Sequence, residues 1–313
     1  MYREVIKEMG MRKGIILAGG TGSRLYPMTQ CVNKQLQSVY DKPMIYYPLS
    51  TLMNAAIKDI LIISSPDQIP KFKQMFRRGD QLGLNIQYAA QNKPRGLADA
   101  FIVGEEFLDG DSCALVLGDN IFYGDEFYKD LTYISKMNET CVFGYRVSNP
   151  SDYGVVDFMR TDDPYESNVR VLGIEEKPDS PKSNYAVPGL YFYDNTVVDR
   201  AKSLQPSDRG ELEITDLNST YIKDGKLKLK LIRESAAWFD TGSPDQMFEA
   251  AMFIKSIQSR TGQMVGCLEE VAYRKKFIGK DQFRQLVELC LPDGCQYKRY
   301  LTDKYNIGSL CAI

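Results

Sequence analysis

The 313 residues contain no histidine. With it go the Ser-His-Asp and Cys-His mechanisms, imidazole metal ligands and a histidine pH switch. Charge of one sign is also missing. Lys and Arg number 39 against 41 Asp and Glu, a formal charge of −2, which excludes a polybasic nucleic-acid binder held by bulk charge and an acidic disordered tail. The short basic runs, such as Arg77-Arg78 and Arg274-Lys275-Lys276, read as solvated faces. No stretch of about 18 apolar residues occurs, so none reads as a membrane span. The first ten residues carry Glu4 and Glu8 and no continuous apolar segment, unlike an export signal, and read as a short helical or frayed extension. Seven cysteines include no C-x-x-C pair, so they read as reduced thiols of a cytoplasmic protein rather than a zinc site. What remains is an ordinary globular composition, 43% hydrophobic and 26% charged. Its chemistry has to come from carboxylates, cationic side chains, backbone amides or a metal on oxygen ligands.

Short apolar runs at 13–18, 59–64 and 114–117 have the texture of buried parallel strands. A helical stretch at 51–57, another near 68–78, an alternating strand at 84–88 and an amphipathic helix at 97–108 lie between them. Strand–helix alternation of this kind predicts an α/β fold, a Rossmann-like, mostly parallel twisted sheet flanked by helices. From about residue 140 the pattern changes to strands at 141–147, 154–158, 170–174 and 189–193, with a turn at 161–164, which reads as a mixed or antiparallel sheet. Helical periodicity returns at 246–259 and 280–291. The chain therefore divides into an α/β domain over 11–250, with halves at about 11–140 and 141–250, and a helical extension over 251–313. No linker separates the halves, so they are expected to share one sheet.

The first strand runs into LAGGTGSRL at 17–25. A glycine-rich turn after a strand and before a helix can lay backbone N–H groups around phosphate oxygens. No Gly-Lys-Ser/Thr follows, so this is not a P-loop, and Leu25 occupies the third glycine position of the dinucleotide fingerprint. That substitution argues against a nicotinamide oxidoreductase. On its own the segment reads equally well as a flexible turn. Further on come Lys34, KPM at 42–44, LGDN at 117–120, EKP at 176–178, RGELEITD at 209–216 and WFDTG at 238–242. In this order the set resembles the sugar-phosphate nucleotidylyltransferases, and among them the branch that joins dTTP to glucose 1-phosphate. The resemblance covers about residues 12 to 278.

In that family the phosphate of a sugar 1-phosphate attacks the α-phosphorus of a nucleoside triphosphate in line and pyrophosphate leaves. The attacking group is already anionic, so no proton acceptor is needed and the lack of histidine is no obstacle. The difficulty is electrostatic. The resemblance implies that Asp119 and Asp240 hold Mg²⁺, while Arg24, Lys34 and Lys177 are the catalytic cations. The residue types suit the task. Asp119 ends an apolar strand, where α/β ligands bind, and two carboxylates with waters and phosphate oxygens suit Mg²⁺. Alone, either aspartate reads as a cap or turn residue.

By the same resemblance Gly19, Gly20, Gly22, Ser23, Arg24, Gln91, Pro94, Gly96 and Asp119 bind the nucleotide. Tyr153, Gly154, Glu176, Lys177, Val187 and Arg209 form the sugar-phosphate site. The Gln91 carboxamide offers a donor and an acceptor side by side, complementary to the N3–H and O4 edge of thymine or uracil. Thymine and uracil differ by one methyl group, worth only about 1 kcal/mol or a little more in a pocket. The resemblance further implies a homotetramer (or homodimer) that binds neither nucleic acid nor membrane and is inhibited by an end product at a peripheral site. The family pattern is broken at Asn33, at Gln37-Ser38, at Pro188 and at Asp125, where a histidine is common. Two other readings remain: a nucleotidylyltransferase for UTP or another sugar phosphate, and a non-catalytic sugar-nucleotide-binding regulator. The intact set of cations and acids argues against the second.

Overall fold

A computed structural model describes residues 12–20, 22–160 and 169–307. The N-terminal extension, the turn at 161–164 and Cys311 lie outside the described residues. The strands are β1 (Lys13–Leu17), β2 (Ser38–Val39), β3 (Lys42–Pro43), β4 (Asp59–Ser64), β5 (Asn85–Ala90), β6 (Cys113–Leu117), β7 (Asn120–Tyr123) and β8 (Thr140–Arg146). They continue with β9 (Gly154–Arg160), β10 (Val169–Glu176), β11 (Tyr185–Ala186), β12 (Leu190–Tyr193), β13 (Leu227–Leu231) and β14 (Ala237–Asp240). Among the described residues ten strands form one sheet, in the order β10-β9-β11-β8-β12-β6-β1-β4-β5, with β13 beside β8. β6, β1, β4 and β5 are mutually parallel. β12 then enters antiparallel to both β6 and β8, and β8 to β11 are antiparallel beyond it. The change of texture near residue 140 is this change of strand direction, inside one continuous sheet.

Alternate residues of the central strands serve opposite faces, as a period of two requires. Ile16, Ile62 and Val116 pack on one side with Leu49 and Leu52 of helix α1 (Tyr46–Asn54). Ile15, Leu61, Ile63 and Leu115 pack on the other with Ala100 and Phe101. β5 keeps the alternation of an edge strand. The stretch expected as one helix over 97–108 is two short ones, Asp99–Val103 and Glu105–Leu108, broken at Gly104. A β-carbon at Gly104 would stand 3.0 Å from Ala100 O and 3.2 Å from Ile15 Cδ1, so close docking on the sheet takes precedence over helical continuity. Likewise 280–291 is a short helix, Lys280–Gln285, that widens into a π-helical turn at Leu286–Cys290.

A further expectation fails. The glycine-rich loop leads not into an α-helix but into a single 3₁₀ turn, Ser23–Leu25. Tyr26 and Pro27 follow with a cis peptide bond between them, and buried Leu25 plugs into a third apolar cluster with Val39, Met44, Tyr47 and Ile254. No helix dipole therefore stands behind that loop; its polarity rests on backbone N–H groups and Arg24.

Candidate active site

β1 and β6 are neighbours, so the loops after Leu17 and Leu117 leave the same carboxyl edge of the sheet. This is where parallel α/β sheets bind ligands. At that edge a two-stranded ribbon forms, β7 antiparallel to β14, placing Asp240 directly opposite Asn120. Thr241 fastens the ribbon's end to Asp119: its N–H donates to Asp119 O at 3.1 Å and its Oγ1 at 2.7 Å. Two aspartates more than a hundred residues apart thus come to one place.

The cations converge on them. Lys34, buried, donates from Nζ to Asp119 Oδ2. Gly242 leaves room for Arg24, since a β-carbon there would meet the guanidinium Nη2 at 2.8 Å. Lys177 follows β10 with φ of 44°, a left-handed conformation that a lysine rarely adopts, and its N–H donates to Tyr153 O at 3.0 Å. Burial pushes the Asp240 carboxyl above its usual range, and the like charge of Asp119 adds to that. Lys34, Arg24 and Lys177 pull it back down. Five charged groups therefore share one field.

A cavity of about 200 Å³ opens here. Arg24, Asp119, Tyr153, Gly154, Glu176, Lys177, Val187 and Asp240 all border it. Glu176 lies over Gly154, whose absent β-carbon would come within 3.1 Å of Glu176 Oε2. Next to it a second cavity of about 190 Å³ is bordered by Gly19, Gly20, Gln91, Pro94, Gly96 and again Asp119. A third, of about 370 Å³, adds Lys34 and Asn33 to Gly19, Gly20, Gln91 and Pro94. Asp119 stands where the first two meet. Gly20, with φ of 92° and open space where a side chain would be, leaves the loop unobstructed.

Gln91 is aimed by a partner that sequence reading did not supply. Its Nε2 donates to Asp99 Oδ2 at 2.8 Å, while Arg95 holds the other oxygen of Asp99 at 2.6 Å. Gly96 is tight against the backbone of Leu212: a β-carbon would meet Leu212 O at 2.4 Å. Ser23 and Gly22 border none of these three cavities. Gly22 is instead shaped by Thr29, whose hydroxyl donates to Gly22 O at 2.8 Å. Arg209 also stands outside them, exposed and paired with Glu213 at 3.0 Å.

Several residues of the site were not singled out from the sequence. Gln35 borders the second cavity, and its buried Oε1 has no hydrogen-bond partner among the described residues. Trp238, Tyr191 and Asn120 border the first cavity. Asn120 and Trp238 lie inside motifs that were recognised and Gln35 directly follows Lys34, so their positions were available while their directions were not.

The donor set suits a hard divalent cation. Among the described residues no group of three or more His, Cys, Asp or Glu side chains could cage a metal. A two-carboxylate site fits an ion whose remaining positions are filled by substrate phosphate and water.

A profile of the nucleotidyl transferase family matches residues 13–257. The chain is 48% identical over 290 residues to the glucose-1-phosphate thymidylyltransferase of Neisseria meningitidis, covering 92% of this chain and 98% of that one. It is 47% identical over 289 residues to the enzyme of the same name from Mycolicibacterium smegmatis, with 92% and 97% covered. A Xanthomonas campestris relative of that name covers 96% of this chain, so the likeness continues past residue 278 into the C-terminal helices. Among solved structures, a putative glucose-1-phosphate thymidylyltransferase from Bacillus anthracis in complex with sucrose superposes with TM-score 0.69 at 37% identity, covering 77% of this chain and 94% of its own. A UDP-glucose pyrophosphorylase complexed with UDP-glucose shares the fold at 22% identity, with TM-score 0.69 and coverage of 79% and 99%.

Proposed function

The chain belongs to the nucleotidyl transferase family, and from that premise we propose that it is a glucose-1-phosphate thymidylyltransferase, making dTDP-glucose and pyrophosphate from dTTP and glucose 1-phosphate. The observation that carries this reading is the meeting of Asp119 and Asp240 with Arg24, Lys34 and Lys177 at one sheet edge, between a base-side and a sugar-side cavity.

A phosphate oxygen of glucose 1-phosphate forms the new bond to the α-phosphorus. The bond from that phosphorus to the bridging oxygen of the β-phosphate breaks, and its electron pair leaves on pyrophosphate. Lys177 neutralises the attacking phosphate. Its left-handed backbone and its N–H bond to Tyr153 direct it into the cavity from the end of β10. Glu176 accepts from sugar hydroxyls, and a carboxylate accepting from two hydroxyls gives strong, charge-assisted bonds. Arg24 spreads a planar, permanently charged fork along the triphosphate, and Lys34 reaches the same region from beside Asn33. Gln91, oriented by Asp99, presents its carboxamide to the pyrimidine edge. Mg²⁺ is the ion we assign to Asp119 and Asp240; when bound it would neutralise α-phosphate oxygens and stabilise the charge that develops there.

Pyrophosphate release from dTTP plus glucose 1-phosphate with Mg²⁺ tests the reading. UTP and other hexose 1-phosphates run alongside as competitors. Turnover confined to UTP, or to another sugar phosphate, would replace the substrate assignment and keep the chemistry. Nucleotide binding without turnover would favour the regulator. We assign the product as a precursor of deoxysugars, dTDP-L-rhamnose among them, and the cytoplasm as the compartment. A homotetramer or homodimer is the assembly we assign, and sedimentation velocity checks it. Among the described residues no helix is long and apolar enough to cross a membrane.

A further inference from the structure

We propose that Asn120 is a positioning residue that couples the wall of the sugar cavity to Asp119, so that seating a sugar phosphate and aiming that carboxylate become one event. The inference rests on the assignment of Asp119 as a metal-holding acid. Asn120 is buried, with 3% of its surface exposed, yet its carboxamide is bonded to two distant segments and to its own neighbour, Asp119. Oδ1 accepts from the indole Nε1 of Trp238 at 2.7 Å and from the backbone N–H of Gly189 at 3.0 Å. Nδ2 donates to Asp119 Oδ1 at 2.9 Å.

Both lone pairs of Oδ1 are thus committed to the sugar side, while the donor side grips the acid. Only a carboxamide has an acceptor and a donor back to back at this reach. An aspartate would have no hydrogen for Asp119 and would add a second negative charge beside it. The division of labour at Asp119 follows. Oδ1 is tied to the scaffold through Asn120, and Oδ2 is the oxygen that meets the cations, here Lys34.

The other ends of the link border the cavity. Trp238 packs edge-on against Tyr153, with ring centroids 5.2 Å apart. Gly189 must be glycine, because a β-carbon would stand 2.6 Å from Leu117 Cγ and 2.9 Å from Asn120 Cγ. A hexose pressing on Tyr153 and Trp238 therefore pushes on the group that sets the rotation of Asp119. Coupling of this kind is reciprocal: whatever factor the sugar phosphate applies to the cation, the cation applies to the sugar phosphate.

The experiment measures Mn²⁺ binding by electron paramagnetic resonance to the protein with α,β-methylene dTTP, with and without saturating glucose 1-phosphate. In the wild type the sugar phosphate should tighten Mn²⁺ several-fold. In Asn120→Asp the tightening factor should fall to about one, whatever the added charge does to the Mn²⁺ affinity itself. Trp238→Phe keeps the ring but removes the indole donor. It should lower the tightening factor and raise KM for glucose 1-phosphate more than it lowers kcat. Trp238 is the single tryptophan of the chain, so its emission should shift in Asn120→Asp before any ligand is added. An Asn120→Asp protein that folds and keeps the wild-type tightening factor overturns the proposal. If that variant does not fold, an unchanged factor in Trp238→Phe overturns it. A wild type that binds no Mn²⁺ at all sinks the metal assignment itself, which is a distinct result.

Discussion

Adding one carbon at Gly242 should disable Arg24 while leaving the fold alone. The β-carbon of Gly242→Ala would stand 2.8 Å from Arg24 Nη2, 3.1 Å from Cζ and 3.2 Å from Nη1. Carbon and nitrogen settle at about 3.5 Å or more, so the guanidinium must retreat by about 0.7 Å. Retreat is easy for the end of an exposed side chain. Gly242 lies outside the left-handed backbone region, and glycine-to-alanine changes at compatible sites stabilise by about 0.4–1 kcal/mol through the unfolded chain. Stability should therefore be unchanged or slightly raised. Catalysis is less forgiving, because a misplacement of about 1 Å can cost about 100-fold. We expect kcat for dTTP plus glucose 1-phosphate to fall about 10- to 100-fold, equivalent to about 1.4–2.7 kcal/mol, with Tm within a few degrees of wild type. The decisive measurement is the double-mutant cycle. With Arg24→Ala already present, Gly242→Ala should cost little more, since its target is gone. Full activity in Gly242→Ala, or an equal loss with and without Arg24, would refute the packing argument.

Asp119→Asn and Asp240→Asn should each lower kcat by at least about 100-fold with unchanged circular dichroism. Chelator-treated wild type should be inactive until Mg²⁺ returns, and full turnover in chelator would discredit the acidic pair. Gln91→Glu should raise KM for dTTP and also lower Tm at neutral pH, because it sets a carboxylate where an amide now donates to Asp99 at 2.8 Å; replacing that donor by a like charge is worth about 1–3 kcal/mol or more. An unaltered Tm would mean that this contact does not orient Gln91. Burial pushes the Glu269 carboxyl above its ordinary value of 4.5, against the opposing bond from Tyr297. The folded chain thus holds that proton more tightly than the unfolded chain does, and its contribution to stability declines as pH climbs past the ordinary value. Glu269→Gln has no such slope, so melting curves between about pH 4 and pH 8 should show the variant gaining on wild type as pH rises. A constant difference would mean that Glu269 is ionised as readily in the fold as outside it.

Local signals decided a great deal by themselves. β1, β4 and β6 were legible because a strand buried on both faces has to be a short apolar run, and that signature needs no knowledge of neighbours. The motifs around Arg24, Asp119, Lys177 and Asp240 drew their meaning from the resemblance of the whole ordered set to a known family, since each alone reads as a turn or cap, and the exclusion of histidine chemistry needed only a count. Local signals also misled where packing took precedence, as at Gly104, which breaks an amphipathic helix to approach Ile15, and at Ser23–Leu25, where one 3₁₀ turn stands in for a helix. The contacts that make a site were beyond their reach. Pairing of β7 with β14 spans more than a hundred residues and has no period to betray it, yet it alone sets Asp240 opposite Asn120. The aiming of Gln91 by Asp99, the slot that Gly242 leaves for Arg24 and the three-way grip of Asn120 are likewise matters of direction. A residue's type and spacing follow from the chain, but where its polar atoms point is settled only when segments far apart in sequence close around it.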